Sequence, residues 1–325
     1  GWQQRAQREK KQHGFLNLYF DERNERVVPR VKDFPAATDS FSVELFNDPT
    51  RPEYTISLGT GYNPDMHFND KFLTYTGSVT DFLGYDNGTR DLPIHRYQQI
   101  PGTFENKLLL NSLTNRFQKE LQAKQETSNA NFDFGFTLGN QYNLGDDKIG
   151  YLATLSYKNS TTFYENRIDG AYVKNSSNSS NNNLNSVLDS KGSEGINNVI
   201  LNGMLGLTYK ADNAKYKLNL LHIQNGESSA GTFDQVISQD GVGGGLEPLS
   251  KNALTYTERS VTNLLLSGKH RLSTDENPLN LEWKFSPTFS KVMDKDHRIT
   301  PLQQSGEGDY FISPSASTFP IQLWR

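Results

Sequence analysis

Strict alternation of apolar and polar residues is the feature that most limits the folds open to this chain. In the stretch LNLEWKFSPTF, residues 279–289, Trp283 and Phe285 fall on one side, whereas Glu282 and Lys284 fall on the other. Successive side chains of a β-strand point to opposite faces, so the pattern predicts a sheet with one apolar and one polar face. Such a sheet either covers the core of a soluble sandwich or faces lipid on a barrel with a wet lumen.

Six other runs share this period of two, and the connections between the runs alternate in length. The seven predicted strands cover residues 54–63, 131–142, 149–163, 199–209, 216–223, 261–272 and 279–292. The short connections NLGDDK, KADNAK and STDENP have the composition of tight turns. The predicted long loops cover residues 64–130, 164–198, 224–258 and 293–325. Strict alternation of this kind is typical of outer-membrane barrels, which have short periplasmic turns and long extracellular loops.

Composition favours the barrel over the sandwich. Only 34% of the residues are hydrophobic, which is low for a soluble domain of 325 residues but sufficient for a thin outer band. No apolar run is long enough for a transmembrane helix, and the net charge of -4 gives no reason to expect nucleic acid as a partner. The sequence therefore predicts an all-β fold, an antiparallel transmembrane β-barrel, with Trp283 and Phe285 facing lipid and Glu282 and Lys284 facing the lumen.

Motifs for catalysis are missing from the sequence, and we expect the protein not to be an enzyme. The six histidines are scattered, and neither H-E-x-x-H nor a strand-turn-helix G-x-S-x-G occurs. Asp81, Asp86 and Asp91, in DFLGYDNGTRD, are candidate ligands for calcium in an extracellular loop, although solvated loop carboxylates are the default explanation for them. The sequence predicts no other cofactor.

Three tyrosines of the first long loop are candidate ligand contacts. Tyr75, Tyr85 and Tyr97 could bind a ligand from outside, although packing inside the loop is the simpler role for each. The same loop contains leucines and a phenylalanine at helical spacing, which predicts a helix over residues 103–123. The polar tract of residues 173–198 predicts an external loop, because it has too few apolar residues to bury surface.

Two segments resemble the TonB-dependent outer-membrane receptors. The segment GTGYNPDMHFNDKFLTYTGSVTDFLGYDNGTRDLP, residues 59–93, resembles the junction between plug and barrel, where those receptors carry TDFLGFDDGTRxLP. The segment TYTERSVTNLLLSGKH, residues 255–270, is similar to their ERSLxNxxLxGxH strand. The likeness covers roughly residues 31–325 and is to the branch with a carboxypeptidase-regulatory-like extension, akin to the SusC-like receptors.

The resemblance implies a piece of a 22-stranded barrel in the bacterial outer membrane. Residues 1–50 would be a remnant of the plug domain and its linker, and residues 51–325 the N-terminal part of the barrel. The implied function is uptake of a bulky nutrient, such as a siderophore, glycan, cobalamin or peptide. The implied partners are outer-membrane lipid, a TonB-type energy-transducing protein acting through the plug, and possible further subunits such as a surface lipoprotein lid.

Departures from the family pattern leave a second hypothesis open. No complete plug and no TonB box are visible, and NERVVPRVKDFP stands where the family has a glycine-rich approach to TKDFP. A receptor-like barrel that serves as a non-transporting scaffold subunit of an outer-membrane complex would also fit. A soluble carbohydrate-binding module would explain the aromatic residues but not the alternation of loop lengths.

Overall fold

The fold is dominated by one antiparallel sheet. The computed structural model describes residues 52–95, 97–174, 184–238, 246–273, 279–305, 308–312 and 320–323. These residues form a ten-stranded sheet, a separate two-stranded sheet and one short α-helix. The sequence prediction of an all-β, antiparallel fold is confirmed. Among the described residues, no helix combines the length and the apolar character that crossing a bilayer requires.

The strands follow one another across the large sheet. In chain order they are β1 (Glu53–Gly61), β2 (Phe72–Thr74), β3 (Lys124–Glu126), β4 (Asn131–Leu144), β5 (Asp147–Lys174), β6 (Leu184–Ala211), β7 (Ala214–Ser238), β8 (Leu246–Arg271), β9 (Asn280–Phe285), β10 (Thr288–Gln304), β11 (Tyr310–Phe311) and β12 (Ile321–Leu323). The order in the large sheet is β1-β4-β5-β6-β7-β8-β10-β11, with β9 paired to β8 and β12 paired to β10. Strands β2 and β3 pair with each other, and α1 covers Lys107–Thr114.

Tight turns join the central strands at one end of the sheet. Gly145 has a φ of 68°, the left-handed conformation that a turn between β4 and β5 requires. Two residues, Asp212 and Asn213, connect β6 to β7. Near this end the strand opposite β8 is interrupted at Ser286 and Pro287, because proline has no amide hydrogen to donate to the ladder. We call this the turn end of the sheet.

The long strands differ from the predicted loop bounds. Strands β5, β6, β7 and β8 have 28, 28, 25 and 26 residues, so much of the predicted loops 164–198 and 224–258 is strand. Strand β10 likewise runs to Gln304, inside the predicted loop 293–325. Those bounds were wrong because the strand extensions are rich in Ser, Asn, Gly and Thr, which give no apolar period although their backbones continue the ladder. Residues 1–50, the predicted plug remnant and linker, lie outside the described residues.

One face of the sheet carries a continuous apolar band. Residues paired directly across antiparallel strands share a face. One such row crosses six strands and consists of Tyr54, Leu138, Ala153, Leu205, Leu220 and Leu264. We call the side chains on and around this row the apolar band: Tyr54, Ile56, Leu58, Phe132, Phe134, Phe136, Leu138, Leu155, Leu205, Leu207, Leu218, Leu220, Leu264, Leu266 and Phe285. Many of them are exposed, with 66% of Ile56 and 60% of Phe285 accessible.

An aromatic row borders the apolar band toward the turn end. Tyr142, Tyr209, Tyr216 and Trp283 lie in register on the same face, four residues from the Leu205 row in β6. Tyr209 and Tyr216 stack with their ring centroids 6.4 Å apart. The other face, which we call the polar face, carries hydrogen-bonded side chains such as Asn202 and Ser156, 3.2 Å apart. Some aliphatic residues of β6 to β8 also lie there.

Residues 62–95 and 97–130 pack against the apolar face beyond the band, and we call them the docked segment. Gln224 Nε2 donates to the Gly84 carbonyl oxygen at 2.6 Å, and Tyr85 Oη lies 3.1 Å from His222 Nε2. His222 and Gln224 follow Leu220 at a spacing of two residues, so the docked segment and the apolar band share one face. The core lies between this segment and the sheet and comprises Phe72, Leu73, Tyr75, Phe163, Ala230 and Leu254.

The helix predicted in this segment is shorter in the structure. It covers Lys107–Thr114 instead of residues 103–123, and the side chain of Asn106 caps it by accepting from the Leu109 amide at 3.0 Å. The prediction is wrong beyond Thr114, because a turn ends the helix before Phe117 and Leu121, which were predicted to belong to its apolar face. Leu113 is the buried residue of α1.

Candidate functional site

The sequence FLGYDNGTR folds into a loop that presents one arginine to the sheet. Gly84 and Gly88 have φ values of 77° and 96°, which a side chain would disfavour. The Asp86 carboxylate accepts the amides of Gly88 at 2.9 Å and Arg90 at 3.2 Å, so a local turn fixes the position of Arg90. The motif that carries the family resemblance is thus, in this structure, a turn built around Arg90.

Arg90 lies at the centre of a buried ionic cluster. Its guanidinium donates to both carboxylate oxygens of Asp81, at 2.7 and 2.5 Å, and to Asp86 at 3.0 Å. The side chains of Arg90 and Asp86 are 2% and 0% exposed, so their charges are held almost without water. The bidentate geometry is the strongest arrangement for such a pair. The cluster fixes the docked segment to itself and, through its aromatic contacts, to the sheet.

Two tyrosines and a second arginine complete the cluster. The Arg90 guanidinium lies 3.8 Å from the ring centroid of Tyr256 in β8 and 5.5 Å from that of Tyr75. Tyr75 also lies beneath the guanidinium of Arg298 in β10, at 5.0 Å, and Arg298 is held by Asp296 at 2.5 Å. A cation placed over an aromatic ring is attracted to the electron-rich face of that ring, and the attraction is stronger when water is excluded. Tyr75 therefore contacts two arginines, one from the docked segment and one from the sheet.

Burial raises the pKa of Tyr75 to about 12, although the positive charge of Arg90 opposes the shift. The unfolded-state pKa is about 10. The neutral phenol therefore contributes stability that is complete below pH 10 and is lost as the pH rises from 10 to about 12. We expect the wild type to lose about 2 kcal/mol more than Tyr75→Phe over this range. Chemical denaturation of both proteins at pH 9 and pH 11.5 measures the difference, and parallel losses would contradict it.

A close approach of two backbones holds the cluster loop against β7. A Cβ at Gly226 would lie 2.6 Å from Gly84 Cα and 2.5 Å from Tyr256 Oη. Gly226→Ala is expected to weaken docking by about 1–3 kcal/mol, because the rigid backbone of residue 84 must move. Faster proteolysis within residues 62–130 would report the loss. Gly203→Ala is the matched control, since a Cβ there meets nothing within 4 Å, and equal effects of both changes would refute the explanation.

The three predicted ligand-contact tyrosines occupy different settings. Tyr75 is 5% exposed inside the cluster, where packing is its role in this structure. Tyr85 is 38% exposed and bonds to His222, and Tyr97 is 76% exposed beside His95. Only Tyr85 and Tyr97 of the three have surface that a ligand could reach.

The predicted calcium ligands face cations of the chain itself. Arg90 lies between Asp81 and Asp86, and Lys295 Nζ lies 2.9 Å from an Asp91 carboxylate oxygen. In the described ranges, no three or more Asp, Glu or His side chains are grouped as a metal site would need. The structure thus brings Asp81 and Asp86 together around a guanidinium.

Sequence reasoning missed a cavity of about 820 Å³ at the rim of the docked segment. It opens where β5 bulges between Tyr164 and Arg167, and bulges of this kind redirect side chains near binding sites. Glu165 and Glu194 line it beside the aromatic ring of Phe163. Glu165 is paired with Lys71 at 2.6 Å, and Glu194 accepts from Ser229 Oγ at 2.7 Å. Arg167 also lines the cavity and pairs with Glu194, so both carboxylates already have a cationic partner. The lining therefore combines two ion pairs with the apolar surface of Phe163.

Comparison with known proteins identifies no family for this geometry. No protein-family model matches the chain, and no curated protein and no solved structure matches it. The resemblance to TonB-dependent receptors therefore rests on the sequence motifs alone.

Proposed function

We propose that the chain is part of an outer-membrane β-barrel receptor of the TonB-dependent class, which takes up a bulky nutrient. The observation that carries the proposal is the apolar band, which is exposed on six successive strands and bordered by an aromatic row. A soluble protein rarely exposes so large a contiguous apolar surface. A lipid-facing barrel wall requires one, with aromatic residues at its border.

The height of the apolar band supports an orientation in which the strands cross the membrane and the band faces lipid. In β4 the apolar face runs from Tyr142 to Phe132, ten residues along the strand. At about 3.3 Å per residue and a tilt of about 40°, this corresponds to a height of about 25 Å, close to that of an outer-membrane apolar band. Strands β5 to β8 are more than twice as long as the roughly ten residues that a crossing requires, so their outer parts would project beyond the bilayer.

The turn end supports a periplasmic position for the short connections. The β6–β7 connection has two residues, whereas the docked segment joins the opposite ends of β1 and β4. Outer-membrane barrels place short turns in the periplasm and long segments outside. In this orientation the cavity beside β5, together with Tyr85 and Tyr97, would lie on the cell surface, where a siderophore, glycan, cobalamin or peptide could bind. Opening of the barrel for transport would depend on a plug domain and on a TonB-type energy-transducing protein.

A test of the proposal combines location with uptake in the native host. We expect the protein in the outer-membrane fraction, extractable only with detergent, and a deletion strain that fails to take up one bulky nutrient. A monomer that is soluble without detergent would refute the barrel. Outer-membrane location and fixed-ratio co-purification with other subunits, without any uptake defect, would replace transport by the scaffold function.

A further inference from the structure

Asn87 and Gly88 form an asparagine–glycine pair in the exposed, irregular part of the turn around Arg90. In such a pair the amide nitrogen of the glycine can attack the side-chain carbonyl carbon of the asparagine, because no Cβ obstructs the approach. In a flexible chain the reaction is slow, since the nitrogen is a poor nucleophile and the reactive geometry is rarely populated. The hydrogen bonds of this turn reduce both obstacles.

A carboxylate lies against the attacking nitrogen. The Gly88 amide donates to Asp86 Oδ2 at 2.9 Å, a distance at which a general base can accept a proton. The same oxygen accepts the Arg90 amide at 3.2 Å, while Oδ1 accepts from Arg90 Nη1 at 3.0 Å. The Asp86 side chain is fully buried, so Arg90 holds it in one position with Oδ2 directed at Gly88.

Two donors lie at the carbonyl group that would be attacked. Asn87 Oδ1 accepts from the Thr89 hydroxyl at 2.5 Å and from the Thr89 amide at 3.2 Å. Addition of nitrogen to the carbonyl carbon places negative charge on this oxygen. Donors that are already in position at such an oxygen lower the barrier, as they do in the oxyanion holes of acyl-transfer enzymes. The nucleophile and the carbonyl group are thus both activated within four consecutive residues.

We propose that Asn87 is a site of self-modification, at which the side-chain amide is lost without an enzyme. The Gly88 nitrogen forms a bond to Asn87 Cγ and passes its proton to Asp86. The Cγ–Nδ2 bond then breaks, the leaving nitrogen takes up a proton through water, and ammonia departs from a succinimide ring. Water opens this ring at either carbonyl, which leaves aspartate or isoaspartate at position 87. The reaction consumes one water molecule and releases one ammonia molecule.

Two further asparagine–glycine pairs allow a comparison within the same chain. Asn202–Gly203 lies in β6 and Asn225–Gly226 lies in β7, and both pairs are in register with neighbouring strands on both sides. Closing the succinimide ring requires the backbone to leave the extended conformation, which the ladder hydrogen bonds resist. Asn225 Oδ1 also accepts from Arg259 at 3.0 Å, so a donor at the carbonyl oxygen does not by itself distinguish the sites. The loop backbone and the Asp86 carboxylate do.

Conversion at position 87 would weaken the buried ionic cluster. Either product adds a carboxylate beside Asp86, and isoaspartate also lengthens the backbone by one carbon just before Gly88. The turn would then hold Arg90 less firmly against Tyr256. Because the loss of ammonia is irreversible, the fraction of molecules with a loosened docked segment would increase with the age of the protein. This inference concerns the turn alone and does not depend on the proposed transport function.

Peptide mapping by mass spectrometry of the purified, detergent-solubilised full chain tests the proposal. During incubation of the folded protein, the peptide that contains Asn87 should lose its amide at least about ten-fold faster than those that contain Asn202 or Asn225. In denaturant the three rates should agree within about three-fold, because the fold no longer distinguishes the pairs. Asn87 should react at least as fast in the folded protein as in denaturant.

Thr89→Val removes the hydroxyl donor and should slow the reaction at Asn87 at least about five-fold. Thr103→Val is the matched control, because Thr103 is an exposed threonine of the docked segment outside the turn, and its rate should equal that of the wild type. Equal rates at all three pairs in the folded protein would overturn the proposal. A slower reaction at Asn87 in the folded protein than in denaturant would show that the turn protects the residue. An unchanged rate in Thr89→Val would refute the activation of the carbonyl group.

Discussion

Replacing Arg90 by methionine is expected to release the docked segment from the sheet. The change keeps most of the side-chain volume but leaves the carboxylates of Asp81 and Asp86 without the guanidinium that both contact. Asp86 is fully buried, and removing one partner of a buried ion pair costs about 3–5 kcal/mol. Arg90→Lys should lose part of this amount, because an ammonium cannot reproduce the bidentate pairing or the stacking on Tyr256.

Hydrogen exchange resolved by peptide is the measurement for this prediction. Amides of residues 72–90 should lose protection in Arg90→Met, while those of the β5–β6 ladder near the turn end keep theirs. Arg116→Met is the control, because Arg116 is an exposed arginine of the same segment. Unchanged protection in Arg90→Met would show that the apolar contacts of Phe72, Leu73 and Phe163 hold the segment without the ionic cluster.

Leu220→Arg is expected to prevent assembly of the strand region into a bilayer. Leu220 belongs to the row that crosses six strands and is 41% exposed. An arginine on the lipid face near the bilayer midplane costs about 2–4 kcal/mol, whereas at a water-exposed position it costs little. The effect should therefore appear during folding into lipid vesicles and should be small for a sheet whose apolar face meets water.

Asn219→Arg supplies a control one residue away. Its side chain lies on the polar face, where the proposed orientation provides water, so folding into vesicles should be nearly unchanged. The measurement is the yield of protease-resistant protein in vesicles for the wild type and both variants. A low yield for Leu220→Arg alone would support a lipid-facing band. Equal tolerance of both arginines would remove the main support for a lipid-facing band.

The alternation of apolar and polar side chains made the half of each long strand near the turn end predictable. The other half has a polar composition without an apolar period, so the sequence did not predict it. The runs around Phe134, Leu155 and Leu205 alternate because one side of each is apolar. Beyond them, a strand such as the one containing Ser190 continues by backbone hydrogen bonds to its neighbours, which any polar residue can make. The period of a sequence reports which surface is apolar, and it is silent where polar residues occupy both faces.

The candidate site was predictable only in its local part. The sequence singled out Asp81, Asp86 and Tyr75 as notable, but it gave them ligand roles, whereas the structure gives them internal partners. Arg298 and Tyr256 lie more than 160 residues from Arg90 along the chain, and no local pattern connects them. Contacts of this kind depend on how the docked segment folds back over the strands, which is a property of tertiary packing.

The shared face of the apolar band and the docked segment has a mechanical consequence. If the band faces lipid, the docked segment packs on the outer surface of the projecting strands. It then does not occupy the side of the sheet that faces the lumen. Movement within the lumen would then pass the ionic cluster without disturbing it. A neighbouring protein at the cell surface would contact the docked segment first. The exposed rings of Tyr85 and Tyr97 could then contact such a protein as readily as a transported ligand.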